Sequence, residues 1–318
     1  MFLVPVLLFM VGSNEALSMS AATNKIRVVV SGAGGQTGQS LFRKLLADDE
    51  FDVLGLVRNE ESKAKLVESG IVASSIAVVD VTDKQALESI MKKDGTNDDE
   101  AAAAATTTTT AFCICTSAKP VPLPDVTDPA TGRPIFGFPN GDPELVDWHG
   151  QKNQIDACPS GVHVVVCSTM GGTDPNHPLN NLGRTTNEED GSTVGGNIVK
   201  WKRKSEMYLM NDKPDLIYTI VHPGGLINEA GGERQLVIGV DDDMSYGATD
   251  SRTVPRDDVA QVMLEAVRNP TVYGGRSFDL RAKPVGEGTI TTDFASLLDS
   301  YLIDDTKQNC DYSLGETM

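Results

Sequence analysis

The stretch Ile26-Arg-Val-Val-Val-Ser-Gly-Ala-Gly-Gly-Gln-Thr-Gly38 decides the fold. Its first five residues are an apolar, β-branched run interrupted only by Arg27, the composition of a buried strand. A glycine-rich turn follows, and then an amphipathic run around Leu41, Phe42, Leu45 and Leu46. Strand, turn and helix in that order are the context a dinucleotide-binding loop requires. The glycines stand as Gly32-x-x-Gly35-x-x-Gly38, with Gly34 inside. The first permits a tight turn, the middle ones let a pyrophosphate approach the backbone, and Gly38 lets the helix lie close to the strand. The helix start then presents free N–H groups and a positive dipole end to the phosphates.

Working outward, the chain reads as a doubly wound α/β protein. Its 318 residues, 40% of them hydrophobic, suffice for a full core. The net charge of −18 argues against nucleic acid or an anionic membrane as partner. A dinucleotide is also an anion, so single basic residues near the loop become informative. The cysteines at 113, 115, 158, 167 and 310 show neither disulfide density nor paired metal spacing, and Cys113 and Cys115 read as packing residues. With 4 His and no clustered ligands in the sequence, no metal site is expected.

Residues 1–22 read as a signal or targeting segment: an apolar run too short to span a membrane, then small residues. The alternative is a start codon placed upstream of Met10 or Met19. Entry to the secretory pathway is therefore expected, with a plastid reached by that route as one destination, or a cytoplasmic protein if the leader is not a signal. Residues 23–318 are expected to form a single domain with a low-complexity insert at 94–110.

The second strand, 52–57, ends at Arg58. In this fold the residue after strand 2 meets the adenosine ribose, where an acid selects NAD and an arginine accommodates the 2′-phosphate of NADP. The third strand, 76–79, ends at Asp80 and Val81, where an adenine is flanked. Strand 4, 111–115, delivers Thr116 and Ser117 to the crevice at its carboxyl end. Residues 120–143 read as a long loop able to cover the site. A helix over 142–157 carries Leu145, Trp148 and Ile155 on one face, with Gln151 and Asn153 directed to the crevice or to solvent. Strand 5, 162–166, ends in Ser168 and Thr169, either substrate-binding hydroxyls or a turn motif. After a second polar loop, 173–196, in which His177 reads as a loop residue, a helix over 197–211 carries Lys200, Lys202, Arg203 and Lys204, the strongest positive cluster in the chain. Strand 6, 216–221, leads to His222. The pieces from about 223 onward, with a last helix over 293–301, read as a small lobe closing over a substrate.

Seven motifs carry a family resemblance: Gly32-x-x-Gly35-x-Thr37-Gly38, Gly55-Leu-Val-Arg58, Val146-Asp-Trp-x-Gly-Gln-Lys-Asn-Gln-Ile-Asp156, Met170-Gly-Gly-Thr-x-Pro-x-His-Pro-Leu179, Trp201-Lys-Arg-Lys-x-Glu206, Pro223-Gly-Gly-Leu226 and Val254-Pro-Arg-x-Asp-Val-Ala260. The chain resembles the atypical short-chain dehydrogenase/reductase proteins of NmrA-like type, specifically a plant and algal NAD(P)-binding group, over about residues 25–300. The resemblance implies a doubly wound sheet holding NADP, with NAD as the other dinucleotide. It implies that Gly32, Gly35, Gln36, Thr37 and Gly38 hold the pyrophosphate and Arg58 the 2′-phosphate. Asp80 and Val81 would lie at the adenine, Thr116 and Ser117 along the ribose, and Lys202 at the nicotinamide ribose. Ser168 and Thr169 would take the place of the family's catalytic hydroxyl.

One departure stands out. Active members of the superfamily place a tyrosine four residues before the lysine, whose charge lowers the phenol pKa for proton transfer. Here that position is Ile198, and taking Lys204 as the equivalent lysine puts Lys200 there. Two functions therefore follow: an NADP(H)-dependent oxidoreductase on a small carbonyl-type substrate, its proton coming from water, the substrate or another residue, with Tyr218 and His222 as candidates, or a non-catalytic NADP(H) sensor acting through a protein partner.

Overall fold

In the computed structural model, which describes residues 25–93, 109–127, 132, 134–186, 191, 193–242, 251–298 and 309–315, the first strand is the middle of the molecule. Strand β1 (Ile26–Ser31) is flanked by β2 (Phe51–Val57) and by β4 (Thr109–Ile114), both parallel to it. Val28 and Val30 join the apolar layer on one face while Val29 joins the layer on the other, as the alternation of a strand demands. A strand covered on both faces must be apolar where it is buried, which is why 28–30 reads as a continuous hydrophobic run, while Arg27 before it pairs with Asp52 at 2.9 Å.

The remaining strands are β3 (Ile76–Val78), β5 (His163–Cys167), β6 (Ile217–Pro223), β7 (Leu236–Gly239) and β8 (Arg276–Ala282). The eight-stranded sheet runs β3-β2-β1-β4-β5-β6-β8-β7, with only β7 antiparallel to its neighbour. Strand order reverses between β1 and β4, and the carboxyl ends on either side open the crevice that such sheets use for ligands. Helices α1 (Gln36–Leu46) and, later in the chain, α6 (Arg256–Arg268) cover one face, with Leu41, Phe42 and Leu45 beside Val259, Val262 and Met263. Helices α2 (Glu60–Glu68) and α3 (Lys84–Lys93) follow β2 and β3, and α4 (Gln151–Ala157) and α5 (Ile198–Asp212) follow β4 and β5. Leu87, Ile155 and Leu209 bury the other face.

Several local expectations change. The loop at 120–143 contains an antiparallel hairpin, Val121–Thr127 with Pro134–Gly137. The helix expected over 142–157 begins as a π turn, Glu144–Gly150, before α4. The wider turn shifts the register, so Leu145 is exposed while Ile155 is buried, and Leu145 leaves the common face expected of it. The described part of the expected last helix, 293–298, forms turns: the Tyr273 hydroxyl takes the Phe294 carbonyl, and consecutive Leu297 and Leu298 are both buried. From residue 223 onward, β7 and β8 extend the main sheet and α6 backs α1, while Gly225–Ile227 pairs with Thr253–Pro255 apart from it. The leader at 1–22 and most of the insert at 94–110 lie outside the described residues, and Thr109 and Thr110 belong to β4. Among the described residues no helix is long and apolar enough to cross a membrane.

Candidate functional site

The glycine loop brings backbone against backbone at the start of α1. Gly32 has φ +68°, and a Cβ there would stand 2.7 Å from the Cys115 carbonyl oxygen. A Cβ at Gly38 would stand 2.3 Å from the Gly32 carbonyl oxygen, so glycine alone lets α1 start against the loop. Gly35 caps α1 without any side-chain acceptor, and the first turn carries no acid. Its N–H groups are thus left for an external anion.

Around this loop the cleft falls into two cavities that share Gly34, Gly35, Cys115, Ser117 and Lys119. The first, of about 560 Å³, brings together Gly32, Arg58, Asp80, Val81, Thr116 and Ser117. Arg58 donates through Nη1 to the Asn140 carbonyl at 2.8 Å, which anchors the guanidinium at the cavity edge. Asp80 is held by Thr82, accepting from its amide at 2.9 Å and its hydroxyl at 2.8 Å. Gln154 donates to Thr116 Oγ1 at 3.0 Å, and Asn153 donates to the Val81 carbonyl at 3.3 Å. The second cavity, about 500 Å³, joins Gln36, Thr37 and Ser117 to Ser168, Thr169, Ile198 and Lys202. Gly38 lies beneath the loop and shapes it without lining either cavity. A third, of about 760 Å³, continues from Thr169 past His177 and Leu179 to Leu226, Arg252 and Arg256.

Lys202 does not stand free in the cleft. Its Nζ lies 2.8 Å from Asp147 Oδ1, with both side chains buried, and Asp147 Oδ2 accepts the Ala118 amide at 3.0 Å. Burial opposes the ammonium charge, but Asp147 outweighs it and raises the Lys202 pKa. The expected positive cluster on α5 is therefore divided. Lys202 and Arg203 are buried, Lys200 lies over the Trp201 ring, and Lys204 lies over Trp148.

Ser168 donates a very short hydrogen bond to Glu206, whose other oxygen lies 3.0 Å from His222 Nε2. Burial works against the Glu206 charge, yet His222, Ser168 and Arg203 hold its pKa down to about 2. His222, though desolvated, is raised well above its ordinary value by Glu206, Tyr312, Cys310 and Asp279. It thus sits behind Ser168 and outside the two cavities. Tyr218 packs in the apolar layer beside α3–α5 and also lines neither of them. Thr169 donates to the Met170 carbonyl at 3.1 Å. His177, expected as a plain loop residue, caps Pro178–Asn181 and wedges its ring against Gly171. Asn180, in the same loop, accepts the Val199 amide at 3.0 Å and so caps α5.

Sequence reasoning missed the roles of Asp147 and Glu206. The signal available for Glu206 was its position four residues after Lys202, on the same face of α5.

The comparisons with known proteins join this geometry to a family. Residues 32–270 match the NAD(P)H-binding family. This chain belongs to that family. An uncharacterised chloroplastic protein of Arabidopsis thaliana is 38% identical over 285 residues, covering 88% of this chain and 77% of the relative. The sanguinarine reductase of Eschscholzia californica is 37% identical over 300 residues, covering 88% and 97%. Both agree with the atypical, NmrA-like short-chain dehydrogenase/reductase assignment. Among solved structures, a short-chain dehydrogenase/reductase from Veillonella parvula in complex with NADP superposes with a TM-score of 0.51 at 12% identity, over 84% of this chain and 97% of that one. An anaerobillin reductase from Escherichia coli gives 0.50 at 16%, over 83% and 100%. At such identities these two speak for the Rossmann fold alone.

Proposed function

We propose that this protein is an NADPH-dependent reductase acting on small carbonyl-type compounds. The observation that carries this reading is the continuity of the cleft, from Arg58 at one end through the glycine loop to Ser168, Thr169 and Lys202 at the other. The arginine after β2 favours a 2′-phosphate over a bare ribose. Gly32, Gly35, Gln36 and Thr37 hold the pyrophosphate while Gly38 keeps α1 close beneath them, Asp80 and Val81 flank the adenine, and Thr116 and Ser117 follow the ribose. Lys202, steadied by Asp147, holds the nicotinamide ribose.

The bound dinucleotide supplies the hydride. Ser168 and Thr169 stand at the carbonyl oxygen; their hydroxyl protons rest on Glu206 and the Met170 carbonyl in the free protein and turn to the carbonyl oxygen when substrate is bound. With Ile198 where a phenol would stand, the proton for the product oxygen comes from solvent along the cleft. The substrate lies in the third cavity, between the 173–196 loop and Leu226, Arg252 and Arg256 of the C-terminal part, which acts as a small lobe. The loops at 120–143 and 173–196 serve as its cover: Phe138 and Leu179 pack with Ala118 and Ile198. The named reductase relative supports the reaction type, and the chloroplastic relative supports a plastid destination for a chain with an apolar leader.

The test is calorimetric titration of the full chain with NADPH, NADP, NADH and NAD, followed by a panel of aldehydes, ketones and quinones monitored at the NADPH absorbance. Tighter binding of the phosphorylated pair, with turnover of at least one compound, is expected. Tight NADPH binding with no turnover across the panel would replace this reading by that of an NADPH sensor acting through a protein partner.

A further inference from the structure

Beyond Ser168 and Glu206, three different metal-binding side chains converge where no metal site was expected from the sequence. His222 on β6 and Asp279 on β8 are register partners on adjacent parallel strands, so their side chains emerge on the same face. Cys310 arrives from the C-terminal segment. Its amide donates to the Ser277 carbonyl at 3.2 Å and to Ser277 Oγ at 3.0 Å, next to the Asn309 bridge to the same residue. All three side chains are buried.

We propose that His222, Asp279 and Cys310 form a zinc site that fastens the C-terminal segment to the sheet. Nδ1 of His222 lies 3.5 Å from Asp279 Oδ1 and 3.5 Å from Cys310 Sγ, and Sγ lies 3.9 Å from Oδ1. A tetrahedral zinc with bonds of about 2.0–2.3 Å sets its ligand atoms roughly 3.3–3.8 Å apart, so the triangle has the size of one tetrahedral face. The His222–Asp279 separation is, by contrast, too long for a good N–H···O bond. A fourth position is available beside it, in a cavity of about 10 Å³ also lined by Glu206, Asp241, Asp242, Thr169, Thr173 and Arg203. Room of that size suits a single water, the usual fourth ligand of an open zinc site.

The surroundings are those of a prepared site. Nε2 of His222 is 3.0 Å from Glu206, the carboxylate partner that fixes a ligating imidazole with its other nitrogen toward the metal. Asp279 Oδ2 accepts the Asp242 amide at 2.8 Å, which leaves Oδ1 for the metal. Acids outnumber bases around the cavity, four carboxylates against Arg203 and His222, so a divalent cation balances the local charge. On binding, the Cys310 thiol and the Nδ1–H of the His222 imidazolium each release a proton to solvent, and His222 coordinates through the freed Nδ1 while Nε2–H stays on Glu206. Through Glu206 the same metal also fixes the orientation of Ser168. The zinc proposal stands whether or not the protein is a reductase.

The experiment uses the full chain and cobalt as probe. Metal content is measured by mass spectrometry after purification without chelator, and the chain is then stripped and titrated with Co²⁺. One equivalent is expected, with the intense visible bands of tetrahedral cobalt and a thiolate-to-cobalt charge-transfer band, both displaced by Zn²⁺. Cys310→Ser loses the charge-transfer band with an unchanged circular-dichroism spectrum, and Asp279→Asn or Glu206→Gln weakens binding by about 10-fold or more. Zn²⁺ raises the melting temperature of the wild-type chain but not that of Cys310→Ser. A wild-type chain that carries no metal as purified and shows no tetrahedral cobalt spectrum overturns the proposal without reference to any variant. So does a charge-transfer band that survives in Cys310→Ser.

Discussion

Lys202 is bonded to Asp147 at 2.8 Å in the interior, so the lysine of α5 answers to a carboxylate from the π turn before α4 rather than to a tyrosine on its own helix. The pair ties two walls of the cleft together. Removing one partner strands the other charge in a dry site. Asp147→Leu is expected to lower stability by about 3–5 kcal/mol, and adding Lys202→Met to recover most of that loss. Urea unfolding of the four proteins in the cycle measures it, and independent effects of the two substitutions would refute the coupling.

Arg58 lines the first cavity with one guanidinium nitrogen already committed to Asn140, and the proposed function gives it the 2′-phosphate. Arg58→Glu replaces a charge-assisted contact to phosphate by repulsion. NADPH affinity is expected to fall by about 100-fold and NADH affinity by less than about 3-fold, from the strength of such contacts. Calorimetry on both nucleotides decides it, and equal losses would remove the 2′-phosphate assignment.

Gly38 meets backbone, not a movable side chain. Gly38→Ala is expected to displace the start of α1, lowering stability by about 1–3 kcal/mol, as overpacked sites do, and dinucleotide affinity at least 10-fold. Thermal melts and nucleotide titration on the same sample test both effects.

Ser168 is the hydroxyl that Glu206 orients. Ser168→Ala is expected to reduce kcat by about 10²-fold, the usual effect of losing one donor at a developing oxyanion, with NADPH affinity nearly unchanged. A loss confined to NADPH binding would instead make Ser168 part of the cofactor cradle.

His163 gives the protein a pH signature away from the cleft. Its Nε2 lies 2.8 Å from Thr219 Oγ1, whose own proton goes to the Tyr273 carbonyl, and its Nδ1 is buried without a hydrogen-bond partner among the described residues. Burial pushes its pKa down to about 4, below the ordinary 6.5. The unfolded chain therefore binds the proton more readily than the folded one between these values. This contribution to stability is complete above pH 6.5 and falls as the pH drops toward 4, by up to about 3 kcal/mol. His163→Gln should flatten that part of the stability curve in chemical denaturation, and an unchanged slope would contradict the assignment.

The parts of this protein that were legible in its sequence are those encoded by neighbours. The run 26–30, the glycine spacing and the amphipathic α1 specify one another within a few residues, and the strands ending at Arg58, Asp80, Thr116 and Ser168 repeat the same local grammar. Each ends on the same edge of a parallel sheet, so the lining of the cleft followed once the strands were recognised.

What escaped the sequence depends on residues far apart in the chain. Leu145 left its expected face because a π turn changes the period, and nothing local announces the turn. The cluster on α5 looked like a cationic surface until Asp147, 55 residues earlier, drew Lys202 inward. Cys310 and Tyr312 sit in a tail with no hydrophobic periodicity, yet they are placed against His222 by the pairing of Asn309 with Ser277. Local pattern alone determined the Rossmann sheet and its phosphate loop, because both are built from short-range spacing. Tertiary structure alone decided which charges are paired, which hydroxyl is oriented and where a metal fits, because each of those needs atoms that only folding brings within about 4 Å.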